Sequence, residues 1–202
     1  DFAETVIASI SSGSGTIGGA TLKTLVNGRA SFAGNSLLYN ATTDGEAFTL
    51  MVDDEPGGVD LTLATIVLSA DVVASRLAFA REPSALVDPG SNFAVDSVFV
   101  VAQDVAGLSD TDFTAKIRLR AVSAEDTSAV VDTLHAEPAD SLNASNGLGI
   151  WTSLTLPFAD LFKLKATSDK LQAGLSKTVA MPGGLTVGGA DSLVAKNALV
   201  NL

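Results

Sequence analysis

The chain has 202 residues, 47% of them hydrophobic and 17% charged, which is enough apolar material for a core and too little charge for a disordered segment. Its formal net charge is −11, so it lacks the basic surplus that replaces phosphate counterions, and a nucleic-acid binder or an anionic-membrane binder is excluded on charge. It contains no Cys, which removes disulfides, Cys-ligated zinc and thiol nucleophiles.

Among the apolar residues small and β-branched types dominate, aromatics are only 5%, and there are 18 Gly. That mixture favours short strands and turns over long helices. The charge is uneven. Residues 51–140 hold 16 acidic and 5 basic residues, whereas 141–202 carry a net +2. A solvated acidic surface is the simplest reading; head-to-tail contact between copies or divalent-cation binding would also suit it. No apolar run reaches the roughly 18 residues needed to span a bilayer, so no membrane insertion is expected. The chain begins at Asp1 rather than Met, as removal of a signal peptide or truncation would leave it. The expected location is secreted, extracellular or at the cell surface.

In chain order, Phe2, Val6, Ala8 and Ile10 fall on one face of a first strand, with Glu4 the exception. Ser11 to Gly19 reads as a Gly/Ser hinge. Ala47 to Val52 is a further strand. Val59 to Leu68 is apolar on both faces and is expected to be central in a sheet. Val72 to Ala80 is ambiguous between helix and strand. Phe93 to Gln103 is strongly apolar. Phe113 to Val122 alternates most regularly, with Ile117, Leu119 and Ala121 inward and Lys116, Arg118 and Arg120 outward. Ala129–Leu134 and Ile150–Leu156 add two strands. The segment after Pro157, with Phe158, Leu161 and Phe162 at helical spacing, is the best helix. The tail from Met181 reads as turn, strand, turn, strand, and its last apolar run, Leu193 to Leu202, suits pairing in a sheet. Turn signals at Asp44-Gly45, Glu55-Pro56-Gly57-Gly58, Asp88-Pro89-Gly90 and Asn146-Gly147 separate these runs. The expected fold is mainly β: one β-sandwich, Ig-like or jelly-roll-like, over residues 20–202. Residues 1–19 form a strand arm with its hinge, and at most one or two short helices are expected.

Gly13-Ser14-Gly15-Thr16-Ile17-Gly18 matches the dinucleotide-binding pattern, with a strand before it and a possible helix, GATLKTLVNG, after it. No acidic residue stands about 20 positions on, and strands do not alternate with helices, so a hinge is the preferred reading. His135 is the single histidine, and no nucleophile elbow accompanies it; it reads as a surface residue. Carboxylate pairs for glycoside hydrolysis cannot be recognised before the fold is known. Trp151 reads as core, and with Tyr39 it is the only sugar-stacking aromatic outside Phe. No catalysis is expected. Asp53, Asp54, Asp104, Asp110 and Asp112 fall near predicted turns and are candidate Ca²⁺ ligands, since Ca²⁺ takes carboxylate oxygens from loops; no other cofactor is indicated. Asn40 and Asn143 head N-glycosylation triplets.

Together these features suggest an extracellular filament, sheath or surface-layer subunit. It would polymerise with its own copies by inserting the arm residues Phe2, Val6, Ala8 and Ile10 into a neighbour, a layout that resembles donor-strand pilin-like subunits. A carbohydrate- or surface-binding module is the first alternative, and a carboxylate-based or dinucleotide-dependent enzyme the second.

Overall fold

The computed structural model describes residues 4–34, 37–54, 64–94, 97–131, 133–157, 161–181, 186–188 and 192–194. It is all-β, in line with a composition that favours strands, and no helix occurs among these residues. The chain divides into two compact units, Asp1–Val72 and Val73–Leu202. The division falls well beyond the expected boundary at residue 19.

In the N-terminal unit the strands are β1 (Thr5–Ser12), β2 (Thr16–Gly19), β3 (Leu22–Thr24), β4 (Leu37–Asn40), β5 (Ala47–Asp54) and β6 (Ala64–Ser69). One antiparallel sheet has the order β3-β1-β5-β6, and β2 pairs with β4 in a second. The alternation read from the sequence holds in β1, where Val6 and Ala8 are buried. Two expectations change here. The presumed hinge is mostly strand: β1 runs through Ser12, and β2 begins four residues later. The segment read as a possible helix is β3 followed by a hairpin turn, because Asn27 and Gly28 both take left-handed backbone angles (φ 52° and 74°) and Val26 pairs with Arg29. That Asn-Gly pair forms a type I′ turn, which the twist of a hairpin favours.

The C-terminal unit contains β7 (Arg76–Arg81), β8 (Val98–Gln103), β9 (Lys116–Ser123), β10 (His135–Glu137), β11 (Ser141–Asn143), β12 (Leu148–Trp151), β13 (Ser153–Thr155), β14 (Leu161–Thr167), β15 (Gly174–Leu175), β16 (Val179–Ala180), β17 (Thr186–Gly188) and β18 (Ser192–Val194). One sheet has the order β12-β8-β7. The other has β11-β9-β14-β15, with β16 also pairing to β14. Inward residues of both sheets meet in one core. Leu77, Val98, Val100, Ala102 and Trp151 come from the first sheet, and Ile117, Leu119, Ala121, Phe162, Leu164 and Ala166 from the second. This is a β-sandwich, built as expected from alternating inward faces. Phe93 and Phe162 meet edge to face with ring centroids 5.4 Å apart. Along one seam Gly174 passes so close to β7 that a Cβ there would lie 2.7 Å from the Leu77 carbonyl oxygen.

Several segments differ from expectation. The ambiguous run over 72–80 resolves to a strand at Arg76–Arg81. The expected helix after Pro157 is strand β14 from Leu161 onward, since Phe162, Leu164 and Ala166 alternate into the core at period two; Phe158 lies outside the described residues. Val130 makes only an isolated bridge to Val122 and is more than half exposed, so no strand forms around it. The run from Ile150 is split into β12 and β13. In the tail two short strands form as expected, and β17 pairs with β18; residues 195–202 lie outside the described residues.

Candidate functional site

The Gly-rich loop lies between β1 and β2, and its amide groups converge on one carboxylate. Ser14 N and Gly15 N donate to Glu46 Oε1, the latter at 2.8 Å. Tyr39 Oη donates to the same oxygen at 2.7 Å. Thr42 donates to Glu46 Oε2 from its backbone N at 2.7 Å and from Oγ1 at 3.1 Å. Successive backbone N–H groups form a concave anion receptor, and here the anion is the chain's own Glu46. Tyr39 stacks on Phe48, centroids 3.7 Å apart and rings 12° from parallel. Gly15 leaves room for this packing, since a Cβ there would meet the Tyr39 ring, 2.6 Å from Cζ. The Thr42 amide first, the Tyr39 hydroxyl next, and then the Ser14 and Gly15 amides lower the Glu46 pKa from the usual 4.5 to about 2. Burial and the bond to Glu46 raise that of Tyr39 above 10.0. A dinucleotide pyrophosphate would need the amides that Glu46 already holds. The sequence pattern marks the tight turn correctly, but nothing in it reveals that the anion is supplied in cis.

Of the expected assembly residues, Val6 and Ala8 are buried and Ile10 is half-buried; Phe2 lies outside the described residues. Their strand is paired on both sides within its own sheet, Ile7 opposite Leu22 of β3 and Asp53 of β5. The open edge of that sheet is elsewhere. Among the described residues β6 pairs only with β5, and every β6 residue is exposed, with Ile66 at 53%, Val67 at 72% and Leu68 at 38%. The run expected to be central is therefore an edge strand, apolar on both faces; residues 59–63 lie outside the described residues.

The five candidate calcium ligands occupy different settings. Asp53 and Asp54 are the last residues of β5 rather than loop residues. Asp104 Oδ1 accepts the Leu108 amide at 2.9 Å and so closes its own loop. Asp110 and Asp112 approach each other, a carboxylate oxygen of each within 4.8 Å. Asp110 is buried; Oδ2 accepts the Ala74 amide at 2.8 Å, and Oδ1 has no hydrogen-bond partner among the described residues. His135 is exposed on β10. Trp151 is fully buried and donates from Nε1 to the Ala139 carbonyl at 2.8 Å, so it offers no ring to a sugar, while Tyr39 is half-buried with one face stacked on Phe48. Asn40 and Asn143 are exposed at the ends of β4 and β11.

A feature of β14 escaped the sequence reading. Lys163 and Lys165 point to the same side as Lys116, Arg118 and Arg120 of β9, because Lys165 pairs directly with Arg120 and Lys163 with Val122. The signal was the spacing Lys163-Leu164-Lys165, masked by reading the segment as a helix.

No protein-family model matches the sequence, and no curated protein does. Among solved structures, a β-glycosidase from Bacteroides vulgatus matches 88% of this chain and 21% of its own, with 12% identity and a TM-score of 0.42. The adhesin InvE of Yersinia pseudotuberculosis matches at 17% identity and TM-score 0.40, over 89% of this chain and 49% of that one. The D0-D1 domain of Intimin matches at 11% identity and TM-score 0.35, over 89% and 82%. The chain spans about a fifth of the glycosidase it matches. At these identities and TM-scores nothing about the function of the chain follows from them.

Proposed function

We propose that the chain is a non-catalytic structural module of an extracellular or surface assembly, and that it joins its own copies by strand addition at β6. The observation that carries this reading is the exposed apolar edge Ile66-Val67-Leu68. An edge strand presents unpaired N–H and C=O groups, and proteins ordinarily blunt such edges with charge, Pro or a bulge. Residues 64–69 contain no charged residue and no Pro. Strand addition there would satisfy the backbone groups and cover the apolar side chains together. The opposite edge of the same sheet is the short strand β3, with Leu22 about half exposed. Pairing of β6 with β3 of the next copy would be heterologous and would propagate, as a filament or layer requires. This moves the site of strand addition from β1, which already has two neighbours in its own sheet, to β6.

Sedimentation over a concentration series tests it. The native chain should form oligomers, and Val67→Lys should leave a folded monomer. Val105→Lys, on an 83% exposed loop residue, should assemble like the native chain. A native chain that stays monomeric at high concentration, or a Val67→Lys variant that assembles normally, removes the proposal.

A further inference from the structure

We infer that the outer face of β11-β9-β14 binds a linear polyuronate, a polysaccharide bearing repeated carboxylates. Net charge hides this face. Five of the chain's 12 basic residues stand on it in two adjacent rows: Lys116, Arg118 and Arg120 on β9, Lys163 and Lys165 on β14. Alternate residues of a strand lie about 6.6 Å apart and neighbouring strands about 4.8 Å apart. The β9 row is therefore a straight ladder about 13 Å long, with the second row beside it. Arg120 and Lys165 face each other directly across the pair, an arrangement of like charges that destabilises a sheet unless an anion lies between. Lys165 has internal company: its Nζ donates to the Thr127 carbonyl at 3.1 Å, and it lies near Asp126. The other four form no ion pair with any described residue.

What accompanies the charges narrows the ligand. Across the ladder, Ser141 of β11 pairs with Arg118 and Asn143 with Lys116, while Thr167 of β14 pairs with Arg118 on its other side. At the Lys116 end a cleft of about 330 Å³ is lined by Ala115, Lys116, Arg118, Thr167, Ser168 and Asp169. Around the cations the face thus offers hydroxyls and an amide, groups that pair with sugar hydroxyls. A stable protein contact needs an apolar or aromatic centre, and a single-stranded nucleic acid needs aromatic platforms for its bases; the two described rows hold no aromatic residue, and the exposed apolar residues on this face, Leu161 and Val130, lie at its Lys163 end rather than at its centre. The planar forks of Arg118 and Arg120 match a carboxylate two oxygens at a time. Asp169 closes the row with a negative charge and sets where the polymer's anions stop. Because the rest of the chain is acidic, attraction is confined to short range and must weaken steeply with salt.

Titration calorimetry with polygalacturonate tests this. Saturable binding is expected at low salt, at least tenfold weaker in 0.5 M NaCl. Arg118→Glu/Arg120→Glu should weaken it at least tenfold, and Arg118→Gln/Arg120→Gln several-fold, each with native Trp151 fluorescence as proof of folding. Lys177→Glu, outside the ladder, should bind as the native chain does. Absence of saturable binding, or indifference to the double substitutions, overturns the proposal. Equal affinity for neutral dextran overturns the ionic basis, and equal affinity for dextran sulfate overturns the carboxylate assignment. Tighter binding of a single-stranded oligonucleotide overturns the polysaccharide. A low-salt self-association abolished by Arg118→Glu/Arg120→Glu, with no polygalacturonate binding, would give the face to a second copy instead.

Discussion

In the C-terminal unit Trp151, Phe93, Phe162, Leu154 and Leu156 are fully buried within one continuous cluster. Among the described residues of the N-terminal unit the buried hydrophobic ones are Val6, Ala8, Phe48 and Val72, and beside them sits a carboxylate with five donors. The C-terminal unit relies on burial, which is non-directional and insensitive to pH. The N-terminal unit relies more on directional hydrogen bonds to an ionised group, which are stronger than neutral ones and weaken when that group is protonated. Dry packing resists charge and acid, whereas a polar cluster fixes a turn and fails if any one donor is misplaced.

The sharpest way to break the comparison is to cut each unit at its own kind of support. Phe162→Ala removes a fully buried ring from the sandwich and should cost about 3–5 kcal/mol, lowering the denaturation midpoint read by Trp151, the only tryptophan. A loss below about 1 kcal/mol would mean that the core is looser than its burial implies. In the N-terminal unit Gly15→Ala should cost less, about 2 kcal/mol, but through geometry rather than area. Its Cβ would run into the Asn40 carbonyl and the Tyr39 ring, opening the loop that holds Glu46. The signal to follow is Tyr39, the only tyrosine; it should lose its ordered environment while Trp151 keeps its own.

The sandwich is largely legible in the sequence, and the N-terminal unit is not, for reasons of the same kind. Ile117, Leu119 and Ala121 alternate with Lys116, Arg118 and Arg120 because one face is wet and the other dry, and that contrast is what a period-two pattern records. In β6 both faces are apolar and both are exposed, so the pattern that ordinarily marks a central strand marks an edge. Phe158, Leu161 and Phe162 fit a helical spacing over about one turn, yet Phe162, Leu164 and Ala166 continue the strand period; a short apolar run fits both templates. Trp151 as core, His135 as surface and the Asn146-Gly147 turn all agree between sequence and structure. In that turn Ser145 and Leu148 exchange backbone hydrogen bonds at 2.9 and 3.0 Å. The Glu46 receptor is invisible in the sequence, because it joins residues 14, 15, 39, 42 and 46 through a fold that local pattern does not encode. The second cationic row is visible there, but assigning a helix to its strand conceals it.

The smallest effect expected is also the most specific to the N-terminal unit. Glu46 titrates at about 2 in the folded chain against the usual 4.5. A carboxylate with a depressed folded pKa contributes stability that is complete above its unfolded value and is lost as pH falls through its folded one. Glu46 is partly open to solvent, and screening there reduces what the shift is worth. The N-terminal unit should therefore soften between pH 4.5 and pH 2, seen in Tyr39, before Trp151 reports any change in the sandwich. Glu46→Gln keeps the shape of the side chain but removes the charge, so it should be less stable than the native chain at neutral pH and should flatten that acid limb. At the alkaline end the same substitution should move the Tyr39 titration part of the way back toward 10.0. Burial, the larger cause of its rise, would remain, and only the bond to Glu46 and its charge would be gone. Spectrophotometric titration of Tyr39 in both proteins measures this, and identical curves would mean that the hydroxyl is not held by Glu46 in solution.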